Sequence, residues 1–496
     1  MLKFDHVGVR SDDGSSIQRS MAEHSRASLS VHSEPDRPPE PIDSRRSPQV
    51  AAPVFHEAAE TSATPPEAPR ARYDLAVVIP AKHELENLVL MLPDLQRTLD
   101  SLGIVHETLV VTPESDRAVE ERLTHLGVRV ITQGDRGYGG ALLTGFTASD
   151  AEYVLTMDGD FSHPPEFIAR LWNRRENAEV VVASRYVEGA SADMPVGRYV
   201  LSRVLNTVFS RGLSLLIRDM SSGFRLYKAD VVRNRCFRAR DFDILQEILL
   251  LAYADGWRVE EVPFDYRPRR YGSSNARIFR FGLAYVRTFW SLWKVRNSIQ
   301  AADYDARAYD SPIVLQRYWQ RQRFRHITEL TGQQGHVLDV GCGSSRIIGA
   351  LPPGSVAVDV LLRKLRYARR FSRQVAQASG FNLPFRDGSF DCVLCSQVIE
   401  HVPKASPILE ELDRVLAPGG RLVLGTPDYA NWQWRVTERL YGLFAPGGYA
   451  DEHIAHYTKD ELVSRFGDLG YTLEAVRYIL KGELILALRK RGAPRS

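Results

Sequence analysis

Cysteine is scarce in this sequence: four in 496 residues, at positions 236, 342, 392 and 395. That is too few for a disulfide framework and fits a reducing compartment. Long apolar runs are missing as well. No stretch of about 18 charge-free apolar residues occurs, so no membrane-spanning helix is expected. Charge of one sign is not in excess: 64 Lys and Arg against 61 Asp and Glu leave a formal +3. A generally basic nucleic-acid binder is thereby disfavoured, and no nucleic-acid partner is expected. The opening MLKFDHVGVR has no apolar core of the kind a secretory signal needs. Secreted, membrane-spanning and fibrous classes drop out, and a cytoplasmic location is expected. What is present, 44% hydrophobic and 25% charged residues, is the balance of a soluble globular protein. The length suggests about three structural units.

Residues 1–72 form the first unit. SEPDRPPEPIDSRRSP and TSATPPEAPR are rich in Pro, Ser and charge. Such segments bury too little apolar surface to offset their ordering entropy, which predicts a disordered tail. From Tyr73 the pattern changes to alternating strands and helices. LAVVIP, ETLVV, VRVIT and EYVLTMDGD read as strands, and the Gly-rich DRGYGG opens a helix. This alternation predicts a parallel sheet covered on both faces over 73–276. A second alternation over 313–496 runs from HVLDVGCG through SVAVDV, FDCVLCS and RLVLGTPD to two antiparallel strands.

The connection, 277–312, begins with RIFRFGLAYVRTFWSLWKVRNS. Arg277, Arg280, Arg287 and Lys294 fall on one helical stripe, aromatic and aliphatic residues cover much of the rest, and acids are absent. A helix of this kind suits an anionic membrane surface. A helix packed between domains with solvated arginines is the plain alternative. The stretch 198–219 has a similar character and is expected beside it.

Asp158 and Asp160 end the strand pattern YVLTMDGD, and alternate strand residues point one way. Two carboxylates on one spot are hard oxygen ligands for Mg²⁺ or Mn²⁺. Such an ion would neutralise a diphosphate leaving group. Around the pair stand VVIPAKHELEN, DRGYGGALLTGF, RDMSSGFRLYKADV and DILQEILLLAYADGWRVEEVPFDYRPRRYGSSN, in that order. The set resembles the family-two glycosyltransferases, in particular the dolichol- or polyprenyl-phosphate sugar synthases, over residues 73–275.

The resemblance implies a GT-A fold, a nucleotide-sugar donor, a divalent metal and inversion at the anomeric carbon. By it, Pro80 and Glu84 hold the nucleotide's base and ribose. Arg136, Gly137 and Gly139 form the Gly-rich turn near the donor, and Asp158 and Asp160 bind metal. Asp219, Ser222, Gly223, Phe224 and Arg225 form the acceptor-side loop. Glu247 stands near the reaction centre, and Arg267 and Ser273 belong to a basic loop over the phosphates. A lipid phosphate is already an anionic nucleophile. A hydroxyl acceptor needs a base, for which Asp219 and Glu247 are the candidates. The family's paired Asp residues after the second strand are replaced here by Thr112-Pro113-Glu114-Ser115, and its usual closing Lys by Asn275.

In the second half, HVLDVGCGSSR sets a Gly-rich turn directly after a strand, and Asp359 ends the next strand. By spacing alone a dinucleotide site would fit. GFNLPFRDGSFDCVLCSQVIEHV and ILEELDRVLAPGGRLVLGTPD add a resemblance to class I S-adenosylmethionine-dependent methyltransferases over 313–490. It implies a Rossmann-like domain in which Asp339, Gly341 and Gly343 cradle the methionine end of the cofactor. Asp359 then binds the ribose, Leu383 lies beside the adenine, and Ser396 and Gln397 lie near the sulfonium. His401, His453 and His456 are candidates for the methyl-acceptor side. His453 and His456 lack a clear third metal ligand. Cys392 and Cys395 sit within a strand pattern and read as small buried residues.

The expectation is an α/β bifunctional enzyme, peripheral at the cytoplasmic face of a membrane. It passes a sugar from a nucleotide-sugar to a polyprenyl phosphate or another lipid-linked or glycan acceptor, and a methyl group to something in the same pathway. The alternative is a working methyltransferase carrying a catalytically silent docking or glycan-binding module.

Overall fold

A computed structural model describes residues 71–82, 84–233, 235–267, 289–332, 335–372, 374–444 and 453–492. The tail through residue 70, Ser273, Asn275, Arg277, Arg280 and Arg287 lie outside the described residues.

Among the described residues the first domain has nine strands: β1 (Leu75–Pro80), β2 (His106–Thr112), β3 (Arg129–Thr132), β4 (Tyr153–Thr156), β5 (Val180–Ser184), β6 (Ser191–Ala192), β7 (Arg225–Lys228), β8 (Val259–Pro263) and β9 (Asp265–Tyr266). Seven form one sheet in the order β3-β2-β1-β4-β7-β5-β8. All pairings are parallel except those of β7 with β4 and β5. Apolar clusters bury both faces, which is why LAVVIP is apolar at every turn of the pleat. This is the expected GT-A sheet. Strand order reverses direction at β1, between β2 and β4, so the crevice beyond Pro80 and Thr156 is the place for a ligand.

The second domain has β10 (Val337–Val340), β11 (Val356–Asp359), β12 (Val375–Gln377), β13 (Phe390–Ser396), β14 (Leu416–Pro427), β15 (Tyr471–Ile479) and β16 (Glu483–Lys490). Their order is β12-β11-β10-β13-β14-β16-β15. β16 runs antiparallel to both β14 and β15, as the sequence suggests, and the remaining pairs are parallel. The sheet is Rossmann-like, with its reversal between β10 and β13. Cys392 and Cys395 are buried within β13, and burial pushes the Cys392 thiol up to about 12.

The connection is shared between the domains. Residues 289–297 are helical, and Phe289 and Leu292 pack into the first domain's core. Phe289 meets Phe209 edge-on at 5.2 Å. The expected neighbourhood with the helix Val196–Gly212 is therefore present. Arg296, fully buried, donates to the carbonyls of Leu213 and Ser214 and pairs with Asp303. The next helix, Tyr304–Tyr309, belongs to the second domain by its contacts. Gly256 of the first domain admits the second: a Cβ there would stand 2.6 Å from the Arg363 carbonyl. Beside it, Arg366 lies 3.9 Å over the Trp257 ring. Among the described residues no helix is long and apolar enough to cross a membrane.

Candidate active sites

In the first domain β4 stops at Thr156, so Asp158 and Asp160 stand on the turn beyond it and not on the strand. Strand alternation therefore does not set their directions; the turn does. Gly159 is required there, because a Cβ would come within 2.9 Å of Leu88 and 3.3 Å of Glu84 Oε2. Glu84 is thus beside the acidic turn. The two carboxylates differ. Asp160 is buried, and its Oδ1 accepts from the Ser162 amide at 3.0 Å and its hydroxyl at 2.5 Å. Asp158 keeps 29% of its side chain exposed. Its amide donates to His163 Nδ1 at 2.8 Å, leaving Nε2 to carry the proton 4.0 Å from Asp158 Oδ2. The Tyr138 hydroxyl lies 3.4 Å from Asp158 Oδ1. Two carboxylates on one turn, one anchored and one open, fit a hard divalent cation.

The loop before β7 closes on this turn. Thr156 donates to the Gly223 carbonyl at 2.6 Å, and a Cβ on Gly223 would stand 2.6 Å from the Tyr138 hydroxyl. Asp219 holds the loop and is not open to an acceptor. It is fully buried, and Arg185 grips it through Nε and Nη2 at 2.8 Å each. The amides of Ser221 and Ser222 also donate to it. Burial alone would raise its carboxyl, but the Arg185 guanidinium holds it below the ordinary value. Such a carboxylate is a poor proton acceptor.

Three more expected contacts have other uses. Arg225 is fully buried, donating to the carbonyls of Leu245 at 2.7 Å and Met220 at 2.8 Å, so it braces the core beneath the loop. Glu247 accepts the amides of Arg238 and Ala239, the latter at 2.8 Å. It thereby fixes a segment whose Arg240 carbonyl accepts from Gly139 at 2.7 Å. Gly137 and Gly139 make room for that segment: a Cβ on Gly139 would stand 2.7 Å from the Arg240 carbonyl carbon. The Gly-rich turn is therefore covered by the chain itself. Arg136, which precedes it, is exposed, as is Arg267, 3.9 Å from Glu166. Pro80 ends β1 at the rim of the crevice.

In the second domain the turn after β10 is held from two sides. Asp359 accepts the Gly343 amide at 2.9 Å and the Leu361 amide at 2.8 Å. Asp305, from the connecting helix, accepts from the Ser344 amide at 3.1 Å, the Ser344 hydroxyl at 2.9 Å and Lys364 Nζ at 2.9 Å. Gly343 (φ 55°) makes room for it, since a Cβ would meet Asp305 Oδ2 at 2.8 Å; the Cβ space of Gly341 (φ 74°) is filled by Val398. Burial would raise the Asp305 carboxyl, yet Lys364 brings it to about 2.

Beyond β13, Gln397 adopts φ 61°, a strained value for a non-glycine residue. The buried Ser396 Oγ and Gln397 Nε2 find no hydrogen-bond partner among the described residues. Orphaned polar atoms beside a Gly-rich turn are what a polar cofactor would satisfy. Gln397 opens onto a cleft also lined by Tyr304, Trp319, Trp434, Glu438 and His453. Leu383 is not in it: its side chain is in the core and its amide donates to Glu411 at 2.7 Å.

Residues 76–236 match the family model for glycosyl transferase family 2, and residues 338–424 match that for a methyltransferase domain. The chain joins a family-two glycosyltransferase domain to a methyltransferase domain. A dolichol-phosphate mannosyltransferase of Pyrococcus furiosus is 30% identical over 237 residues, 45% of this chain and 65% of the relative. The chain thus spans just under two thirds of that relative's length. A dolichyl-phosphate hexose transferase of Haloferax volcanii is 29% identical over 201 residues, 40% of this chain and 84% of the relative. A Thermotoga maritima structure described as an S-adenosylmethionine-dependent methyltransferase, possibly a histamine N-methyltransferase, is 20% identical. It covers 38% of this chain and 98% of its own, with a TM-score of 0.30.

The methyltransferase domain also holds side chains whose meeting the sequence does not announce. Tyr429 donates to Glu438 at 2.8 Å and lies 2.9 Å from His453 Nδ1, which is 3.2 Å from Glu438. Burial, then His401, lowers the His453 pKa. His456 stands apart, stacked on Tyr429 at 4.0 Å, so the pair His453 and His456 is not a metal site. In the glycosyltransferase domain, Tyr138, His163 and Arg185 were equally silent in sequence. His163 carries the one faint signal, following the acidic turn in DFSHPP.

Asp339 carries a pH prediction. Burial first, then the neighbouring Asp359, raises its carboxyl to about 7 from an ordinary 3.8. The folded state therefore keeps a proton that the unfolded chain has lost, and stability falls as pH rises from about 4 to about 7. Above that the cost, on the order of 4 kcal/mol, is complete. Asp339→Asn is expected to raise the melting temperature of the cofactor-free protein at pH 8, with the gain shrinking toward pH 4. Calorimetry across that range checks it.

Proposed function

We propose that the chain is a bifunctional transferase. Its first domain moves a sugar, with inversion, from a nucleotide-sugar to a polyprenyl phosphate or another lipid-linked or glycan acceptor. Its second moves a methyl group from S-adenosylmethionine to an acceptor of the same pathway. The observation that carries the reading is the half-open Asp158 carboxylate at the sheet's switch point, closed on one side by the Gly223 loop. The dolichol-phosphate substrates named for the relatives favour a lipid phosphate acceptor.

Asp158 and Asp160 would hold Mg²⁺ or Mn²⁺, which supplies positive charge at the leaving diphosphate. Tyr138 and His163 orient Asp158, and Asp219 with Arg185 sets the loop that faces it. An anionic acceptor needs no base, consistent with the enclosure of Asp219 and Glu247. In the second domain Asp339 and Asp359 would position the cofactor, which supplies an activated methyl group, beside the turn that the protein's own hydrogen bonds hold in shape. Ser396 and Gln397 meet its polar end.

Peripheral attachment to an anionic membrane at the cytoplasmic face belongs to the same reading. Helix Val196–Gly212 contains no acid. Val196, Val200, Val204 and Val208, four residues apart, are 52–78% exposed, and Trp290 is 58% exposed nearby in sequence to the packed Phe289. Arg198, Arg203 and Arg211 are exposed on the same helix. An apolar stripe with basic flanks suits a headgroup boundary.

The test is nucleotide release from a panel of UDP- and GDP-sugars with Mn²⁺ or Mg²⁺ and polyprenyl phosphate, with Asp160→Asn as control. Acceptor-dependent release that the variant lacks is expected. No release from any donor, with S-adenosylmethionine still bound, would replace this reading with a methyltransferase carrying a silent docking module.

A further inference from the structure

One side-chain cluster is used by none of the roles above. Glu400 follows β13 and is fully buried. Among the described residues only the Thr426 hydroxyl and its own amide come near its carboxyl as donors, and neither makes a hydrogen bond of good geometry. A carboxyl enclosed with so few donors either keeps a proton or meets a cation. His401 follows it in the chain, and His453 arrives from a separate segment. That segment is pinned in place, because the amides of Ile454 and Ala455 donate to the Glu400 carbonyl at 2.8 and 3.0 Å. Ligand atoms of Glu400, His401 and His453 all lie within 4.8 Å of one another. The two imidazole rings are 5.0 Å apart.

The surroundings fit as well. His453 Nδ1 faces Glu438 and Tyr429. A ring nitrogen held by a carboxylate, with the other turned to the ion, is the usual second layer of a metal-bound histidine. Two imidazoles and one carboxylate suit a first-row divalent ion such as Zn²⁺ or Fe²⁺ and leave coordination positions open. His453 and Glu438 line the cleft that Gln397 also lines, so an open position would border it.

We propose that Glu400, His401 and His453 bind a first-row divalent metal ion on the acceptor side of the methyltransferase cleft, with room for an oxygen-bearing ligand. The metal site itself does not depend on either transfer reaction; only the placement of an acceptor beside it rests on the methyltransferase reading. A metal there would polarise an acceptor hydroxyl or carboxylate.

The experiment uses Co²⁺ as probe on the untagged, chelator-stripped full chain. An Asp158→Asn, Asp160→Asn background removes the carboxylate pair of the first domain. One equivalent of Co²⁺ with visible ligand-field absorption is expected, with X-ray absorption reporting two imidazoles in its shell. Glu400→Gln and the half-exposed His401→Gln should each abolish that absorption, with circular dichroism unchanged. Glu438→Gln, which reaches the ion through His453, should weaken Co²⁺ binding roughly 10- to 100-fold. Absence of bound Co²⁺ in the background protein overturns the proposal, as does an absorption that survives His401→Gln. The binding readout stays interpretable even if methyl transfer is never observed, so failure of the site and failure of the assigned activity remain distinct.

Discussion

Asp158→Asn should reduce sugar transfer by roughly 10²–10³-fold, the scale on which a single group stabilising transition-state charge acts, while S-adenosylmethionine binding stays unchanged. The substitution is nearly isosteric, and Asp158 is the more open of the two acids, so little stability is at stake. On the proposed reading, what disappears is a charge facing the leaving diphosphate. Acceptor-dependent nucleotide release measures the loss, and calorimetric titration of the methyl donor shows that the second domain is untouched. Asp160→Asn should lose activity too, but with a fall in melting temperature, because Asp160 is buried and anchors Ser162 at both its amide and hydroxyl. Equal melting of the two variants would contradict this division of labour.

Arg185→Ala should destabilise the glycosyltransferase domain by about 3–5 kcal/mol, the cost of leaving one member of a buried pair uncompensated. Asp219 has no exposure at all, and Arg185 supplies three of its donors through the backbone amide, Nε and Nη2. Arg185→Lys should recover only part of the loss, since a point charge cannot reproduce the two-pronged contact. Asp219 has a lowered pKa in the fold. Its contribution is therefore present above the ordinary carboxylate range and disappears as pH falls through the lowered value. Chemical denaturation at neutral and acid pH should show wild type and Arg185→Ala converging in acid. Parallel curves would mean that the pair is not what holds the loop.

Much of this architecture is legible in the sequence. LAVVIP and HVLDV are apolar runs cut off by Pro or Gly, and each is an interior strand of a sheet buried on both faces. The Gly-rich turns also announce themselves, but not what fills them. Gly139 and Gly343 look like spaces for ligands, yet Arg240 and Asp305 occupy them, because a glycine signals close approach without naming the partner. Arg225 and Asp219 sit in a motif that reads as an acceptor-side loop, and only burial shows that they brace it from within. The alternation rule overextended β4 by carrying strand geometry into a turn. Glu400, His401 and His453 come from two segments joined by backbone hydrogen bonds, and no local periodicity records such a meeting.

Asp305 also bears on how this protein can be dissected. Sequence motifs place the start of the methyltransferase at its first long helix, Val314–Thr331. A fragment cut there would leave behind the carboxylate that secures Ser344 and Lys364, and a few residues further back the Asp303 that meets Arg296. The glycine turn of such a fragment would face solvent with its amides and a lysine unanswered. The structural unit of the second domain therefore reaches into the connection, and the two halves are joined as parts that share a brace.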